Sequence, residues 1–310
     1  MATADAKSVP PARSWAEVLP PASRVRLLIL AGLTVFAYWG PIRYTMIGRW
    51  IADGNWSHGW LVPAFSLYLL SSKSDELRRC APRANYVGAV LVAASLALYG
   101  GSWQVGMAYP QAFSLVTTLL GLALLHGGWS VLRLVWFPIV FLLFAVPLPQ
   151  QRYFALTLPL REWASSAAAA LLPLLIPGLH TEAQAVVIDY VRPGGSAGQL
   201  NVEEACSGMR LMMAFVTLGV AMAYLGARPY WQRAVLVASC VPIAVLCNTI
   251  RVTTTGYFTI TGRTELAQGT PHQLLGIAML LIALGCYSLI GYVMTHLFID
   301  VNGENAEGGS

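Results

Sequence analysis

The sequence predicts an all-α polytopic membrane protein: about eight transmembrane helices, one interfacial or broken segment and a small extracytoplasmic β-hairpin. Three observations predict it. Hydrophobic residues make up 56% of the 310 and charged residues only 11%, against about 25% charged in an ordinary soluble domain. The charges gather in short clusters between apolar runs, many of them near the roughly 20 residues a helix needs to cross a bilayer. Between 180 and 205 this gives way to a polar, strand-like stretch around Pro193-Gly194-Gly195-Ser196-Ala197-Gly198, the pattern of two strands joined by a tight turn. The net charge of +5 then reads as topology information. No stripe of Lys and Arg interleaved with aromatics marks a nucleic-acid surface.

Residues 1–24 are polar and rich in Pro and Ala, with no small-residue cleavage site after the first apolar run. They are expected to form a disordered cytoplasmic tail ahead of an uncleaved helix. A transmembrane domain over 25–298 and a cytoplasmic tail over 299–310 follow. Apolar runs fall at 25–40, 58–71, 86–102, 110–126, 131–147, 154–177, 207–226, 234–252 and 272–298. Arg24 and Arg26 place the N-terminus inside, and so do Lys73, Arg78, Arg79 and Arg83 for the loop after the short, Pro63-containing second run. The segment 154–177 holds Pro159, Arg161, Glu162, Pro173 and Pro177. An unpaired charge at mid-bilayer costs about 2.5–3.5 kcal/mol, so this segment is expected to be interfacial or broken, with both ends outside. The hairpin, Arg251 and His272 then all emerge at the outer face. If 154–177 crosses instead, they share the cytosolic face; the sharing survives either way.

Of five cysteines, Cys240, Cys247 and Cys286 lie inside apolar runs, where they pack as small hydrophobes. Cys80 sits in the basic loop, and no CxxC or metal-type spacing occurs. Cys206 differs, because it stands where the polar hairpin meets a long apolar helix. Ser207 suits the N-cap of that helix, and a cysteine at a helix N-terminus feels a field that favours thiolate. Unpaired N–H groups beside Gly208 can bind an oxyanion. Arg251 ends an apolar run three residues after Asn248, on one helix face with it. It is either a snorkelling boundary arginine or a permanent cation for a thiolate, an oxyanion or a substrate carboxylate. His272 follows Thr270-Pro271, a helix-start signal, and is either an interfacial histidine or an acid/base toward a thiol and a leaving amine. Nucleophile, base and fixed cation at one face are the parts of an acyl-transfer site. Glu204 is placed to orient His272 or Arg251, or is simply solvated.

Glu204-Ala205-Cys206-Ser207-Gly208-Met209-Arg210, then Asn248-Thr249-Ile250-Arg251-Val252, then His272 with Gly276, resemble the three signature blocks of the exosortase/archaeosortase family. His58-Gly59-Trp60-Leu61-Val62-Pro63 and Pro147-Leu148-Pro149 resemble its accessory motifs. The resemblance implies an integral membrane, sortase-like cysteine protease or transpeptidase of the bacterial inner membrane, with its active site facing the periplasm. It implies exported protein substrates bearing a C-terminal sorting signal: a motif such as Pro-Glu-Pro, a transmembrane helix and a basic cluster. Cys206 would be the nucleophile, through a thioester, Arg251 the electrostatic stabiliser and His272 the acid/base. Beyond substrate, the partner expected is membrane lipid, and no cofactor or metal is expected. Two readings from other classes stay open on the residues alone. One is a transporter built on broken helices; the other is a membrane acyl- or glycan-transferase working through His272 and an acidic residue.

Overall fold

The computed structural model describes residues 14–18, 20–201, 209–226, 228–267 and 269–297, without the side chains of 209–212, 270, 272, 273 and 297. The described chain is mostly helical and divides into two compact units, residues 1–149 and 150–310. Among the described residues four helices are long and apolar enough to cross a membrane: Val87–Gln104, Ala108–Ala145, Tyr230–Ile260 and Leu274–His296. Pro21–Ala37 and Pro41–Ala52, bent by 65° at their junction, make a fifth if taken as one span. The eight spans expected from the apolar runs therefore reduce to four or five by length and composition.

In unit 1 the elements are α1 (Pro21–Ala37), a π-helical turn at Pro41–Ile47, a 3-10 helix at Gly54–Trp60, α2 (Leu61–Ser72), α3 (Ser74–Arg79), α4 (Val87–Gln104) and α5 (Ala108–Phe141). The run at 58–71 is divided between the 3-10 turn and the twelve residues of α2, at about 18 Å too short to cross. Small and hydroxyl residues bring the helices together, as expected where no water drives association. A side chain on Gly88 of α4 would collide with the backbone at Gly121 and Leu125 of α5. Ser95 Oγ bonds Thr117 Oγ1 at 2.8 Å, and Tyr38 Oη meets Thr118 Oγ1 at 2.8 Å. Leu28, Phe36 and Val90 project outward, tolerable in lipid and costly in water.

The runs at 110–126 and 131–147 join within α5 at Gly128, whose backbone leaves the helix at φ 69°, ψ −170°. The basic loop packs into this kink: Arg83 N–H bonds Gly127 O at 3.3 Å and Asn85 N–H bonds Leu125 O at 3.2 Å. A Cβ at Gly128 would collide with the Arg83 carbonyl. The motif from His58 to Trp60 is also structural. Gly59 lies flush against the Trp50 indole, Trp50 Nε1 donates to Ala145 O at 2.8 Å, and buried His58 reaches Phe144 O through Nε2 at 3.2 Å.

Unit 2 contains α6 (Gln150–Leu175), β1 (His180–Gln184), β2 (Val187–Val191), β3 (Ala197–Asn201), α7 (Met209–Leu225), α8 (Tyr230–Ala238), α9 (Cys240–Ile260) and α10 (Gly269–Leu297). The segment expected to be interfacial or broken is one unbroken 26-residue helix, α6, running through Pro159 and on to Leu175, and it is not among the helices long and apolar enough to cross. Arg161 and Glu162 are neighbours in sequence, which on a helix turns them to different surroundings. Arg161 is 5% exposed, bonds Thr157 Oγ1 at 2.8 Å and lies over the Phe154 ring at 5.1 Å. The hairpin expected over 180–205 is there, extended to a three-stranded antiparallel sheet in the order β1-β2-β3. β1 joins β2 through Ala185 and Val186, with Ala185 in the left-handed region at φ 52°.

Replacing Gly128 by alanine forces a positive φ on an L residue and a clash with the Arg83 carbonyl. The expected loss is about 1–3 kcal/mol, read as a lower unfolding midpoint of the full chain in detergent, whereas Gly106→Ala, at an open turn with the same φ of 69°, carries the strain without the clash and loses less.

Candidate functional site

The site is built on the packing of unit 2. Ala168, Ala169 and Leu172 of α6, Val252 and Ile260 of α9, and Ile188, Tyr190 and Leu200 of the sheet form one apolar cluster. Thr181 Oγ1 donates to Ala169 O at 2.6 Å, and Leu200 lies against Gly256, where a Cβ would come within 2.8 Å of it. The sheet therefore caps the C-terminal halves of α6 and α9, which run parallel. On its other side α9 packs against α7 and α10 through Cys240, Ile243, Ala244, Cys247, Phe215, Met279 and Tyr287. A side chain on Gly219 of α7 would strike both Cys240 and Tyr287, Cys247 Sγ contacts Met279 O at 3.6 Å, and Tyr287 Oη donates to Phe215 O at 3.0 Å. These contacts make α9 antiparallel to both α7 and α10.

The register follows by counting. Arg251 lies eleven residues after Cys240, and Met209 ten before Gly219. Both are therefore about 15–16 Å of helix from the Cys240–Gly219 level. From Cys247–Met279, Arg251 falls opposite Leu275, one turn inside the backbone of His272. From Gly256, Arg251 lies five residues, about 7.5 Å, beneath Leu200 of β3. Met209, the first residue of α7, thus lies near the level of Arg251, and α10 begins six residues, about 9 Å, beyond that level.

Arg251 was expected at the end of a helix. It is instead interior to α9, which continues nine residues to Ile260. It is 4% exposed, so the snorkelling alternative does not describe it. An arginine carries its charge at any accessible pH, and a buried charge persists only where it is engaged. Arg251 and Asn248, half-buried one turn before it, are both engaged in interactions. Thr249, Thr253 and Thr255 are buried on the same helix. The helix carrying His272 starts at Gly269, three residues earlier than expected; its backbone is described and its side chain is not. Glu204, Cys206, Ser207 and Gly208 lie outside the described residues. Cys240 and Cys247 pack in the apolar cluster as expected.

Sequence reading missed Arg161 as a member of this region. It is a second buried guanidinium in unit 2, beside Ser165 and Thr157, on the helix that packs along α9. The signal was present as a charged residue within a long apolar run, which inside a membrane marks function more often than chance.

A helical chain with outward apolar faces and a polar layer enclosed within one of its units is an integral membrane protein with an internal polar site. Its family is also shown: the model for transmembrane exosortases of the EpsH type matches residues 50–289, and the chain belongs to that family. No curated protein and no solved structure matches it. The matched range spans His58, Cys206, Arg251 and His272.

At the seam between α9 and the sheet, Gly256→Ala pushes a methyl into Leu200. It is expected to cost about 1–3 kcal/mol as overpacking, seen as a lower unfolding midpoint. Adding Leu200→Val should restore most of that loss; an additive double variant would argue against the direct contact.

Proposed function

We propose that the chain is a cysteine-dependent sorting enzyme of the bacterial inner membrane that cleaves C-terminal signals from exported proteins at the periplasmic face. The observation that carries this reading is Arg251: an enclosed, permanent cation near the level where α7 begins and about 9 Å inside the start of α10. Family membership supports the same role. Cys206 lies three residues before Met209 and five after Asn201. An extended chain reaches at most about 3.6 Å per residue, which keeps the cysteine within about 11 Å of the start of α7.

In the proposed reaction the Cys206 thiol gives up its proton to His272, and the thiolate attacks the scissile carbonyl carbon. Arg251, with backbone N–H groups near Ser207 and Gly208, holds the oxyanion. The tetrahedral adduct collapses as the C–N bond breaks, and His272 returns the proton to the leaving amine. The resulting thioester is resolved by water, or by an acceptor amine or hydroxyl that makes the reaction a transfer. Asn248 orients Arg251 along the helix face, and Glu204 orients Arg251 or His272. Substrate is a protein ending in a short motif, an apolar helix and a basic cluster.

Processing of a tagged substrate of that design, followed by immunoblot in cells, tests the assignment. Cys206→Ala and Cys206→Ser are expected to abolish it. Arg251→Lys, which keeps charge but loses the planar fork, should slow it by about 10²–10³-fold, and His272→Ala by about 10²–10⁴-fold. Near wild-type processing by Cys206→Ala would remove the nucleophile and return the transferase reading. Cys206 should also react with an electrophilic substrate mimic faster than Cys80; a transporter has no reason to show that order.

A further inference from the structure

Unit 1 contains an apolar groove of about 620 Å³ between α1 and α5. Leu27, Ala31 and Val35 form one wall and Leu115, Leu119 and Ala123 the other. It follows α5 from Leu115 past the Gly128 kink to Val135, so it is elongated. Its polar lining is already satisfied: Thr34 Oγ1 donates to Leu30 O at 2.7 Å, and His126 Nδ1 meets Leu122 O at 3.2 Å. Nothing in the lining asks for a polar ligand.

The rim at one end is different. Cys80 and Pro82 line it, and Trp15 closes it with Arg78 over its ring at 5.8 Å. The adjoining loop carries four cations and two acids. Arg78 pairs with Asp75, and Lys73 pairs with Glu76 at 2.6 Å. Arg79 and Arg83 are both exposed and have no acidic partner among the described residues. At Cys80 and Pro82 the apolar groove thus adjoins a loop that carries two exposed arginines, Arg79 and Arg83.

We infer that this groove is a binding site for an anionic glycerophospholipid, with one acyl chain along α1 and α5 and the phosphate at Arg79 and Arg83. A groove of about 620 Å³ suits one acyl chain better than a transmembrane helix, which at about 10 Å across fills that volume within roughly 8 Å. The charge disfavours a second copy in the same orientation, which would bring an identical basic loop against this one. An anionic headgroup is the complement that both parts of the site share, and basic residues at a membrane surface favour such lipids. The site is independent of the proposed peptidase chemistry; α1 lies outside the family-matched range of 50–289.

The test reconstitutes the full chain into vesicles of equal parts phosphatidylcholine and phosphatidylglycerol, extracts it in mild detergent and identifies retained lipid by native mass spectrometry. Retained phosphatidylglycerol is expected in about tenfold preference over phosphatidylcholine, from two arginines at the rim. Arg79→Gln with Arg83→Gln should erase the preference while lipid is still retained. Ala31→Trp, a substitution on an exposed wall position that does not disturb the core, should lower retention of both lipids, and Ala123→Phe from the opposite wall should do the same. A photoreactive residue at position 31 of the otherwise unaltered chain should crosslink to lipid. Unchanged retention and preference in all variants would overturn the inference, as would crosslinks to residues 1–13 or to a second chain in place of lipid.

Discussion

A guanidinium cannot be neutralised by shedding its proton, so enclosing one within a helical bundle dictates what surrounds it. Among its described residues unit 2 encloses two, Arg161 on α6 and Arg251 on α9. The helices that carry them pack closely because the positions between are small: Ala164, Ser165, Ala168 and Ala169 on α6, Gly256 on α9. Close approach brings the backbone and hydroxyls of one helix within reach of the other, and that is how a membrane bundle supplies polar partners without admitting lipid. The threonines of α9 are also buried, at 249, 253 and 255, and the hydroxyls of Thr253 and Thr255 find no hydrogen-bond partner among the described residues.

The sheet completes this enclosure. A helix pair exposes its C-terminal carbonyls, and in a membrane protein those ends need either water or cover. The inner face of the sheet, with Ile188, Tyr190 and Leu200, covers α6 and α9 near their C-termini. Its outer face carries Glu182, Asp189 and Gln199 side by side across the strands. That division belongs to an element resting on a bundle with its polar face to water. Unit 1 uses its motif residues differently. Gly59 is demanded by Trp50, and Trp50 by the Ala145 carbonyl, so a motif that resembles a family signature is accounted for by packing alone.

The sequence made the helical class, the runs at 86–102 and 272–298 and the glycine-rich turn legible because each rests on a local signal. What it hid depends on partners distant in the chain. β1 has no turn signal after it: the residue at the left-handed position is Ala185, not Gly or Asn, and pairing with β2 overrides that local cost. Pro159 suggested a break in α6, yet the helix runs through it, since neighbouring helices can satisfy what a proline leaves open. Four or five of the eight expected spans meet the length and hydropathy of a crossing among the described residues, because an apolar run measures burial as well as lipid contact. The stretch at 58–71 is buried in part against Phe141 and Phe144 through Phe65 and His58, and it reads as apolar without crossing. Arg251 was singled out as a candidate cation, but its depth was not legible, since a run that ends in an arginine looks the same whether the helix stops or continues.

That depth bears on how the proposed chemistry is driven. Helix N-termini carry a partial positive charge, and α7, running opposite to α9, begins near the level of Arg251, whereas α10 begins about 9 Å beyond it. The start of α7 and the guanidinium act together as a positive field, which favours a thiolate and a developing oxyanion and disfavours an imidazolium. A histidine in that field is a poor resting partner for an ion pair, so it holds the proton only while a neighbouring anion offsets the cost. The thiolate does this before attack and the oxyanion after it. The proton would therefore stay on the imidazole for as long as negative charge persists beside it, and leave with the amine as the adduct collapses. In the proposed reaction the electrostatic layer around Arg251 would set the timing of proton transfer, and the histidine would follow it.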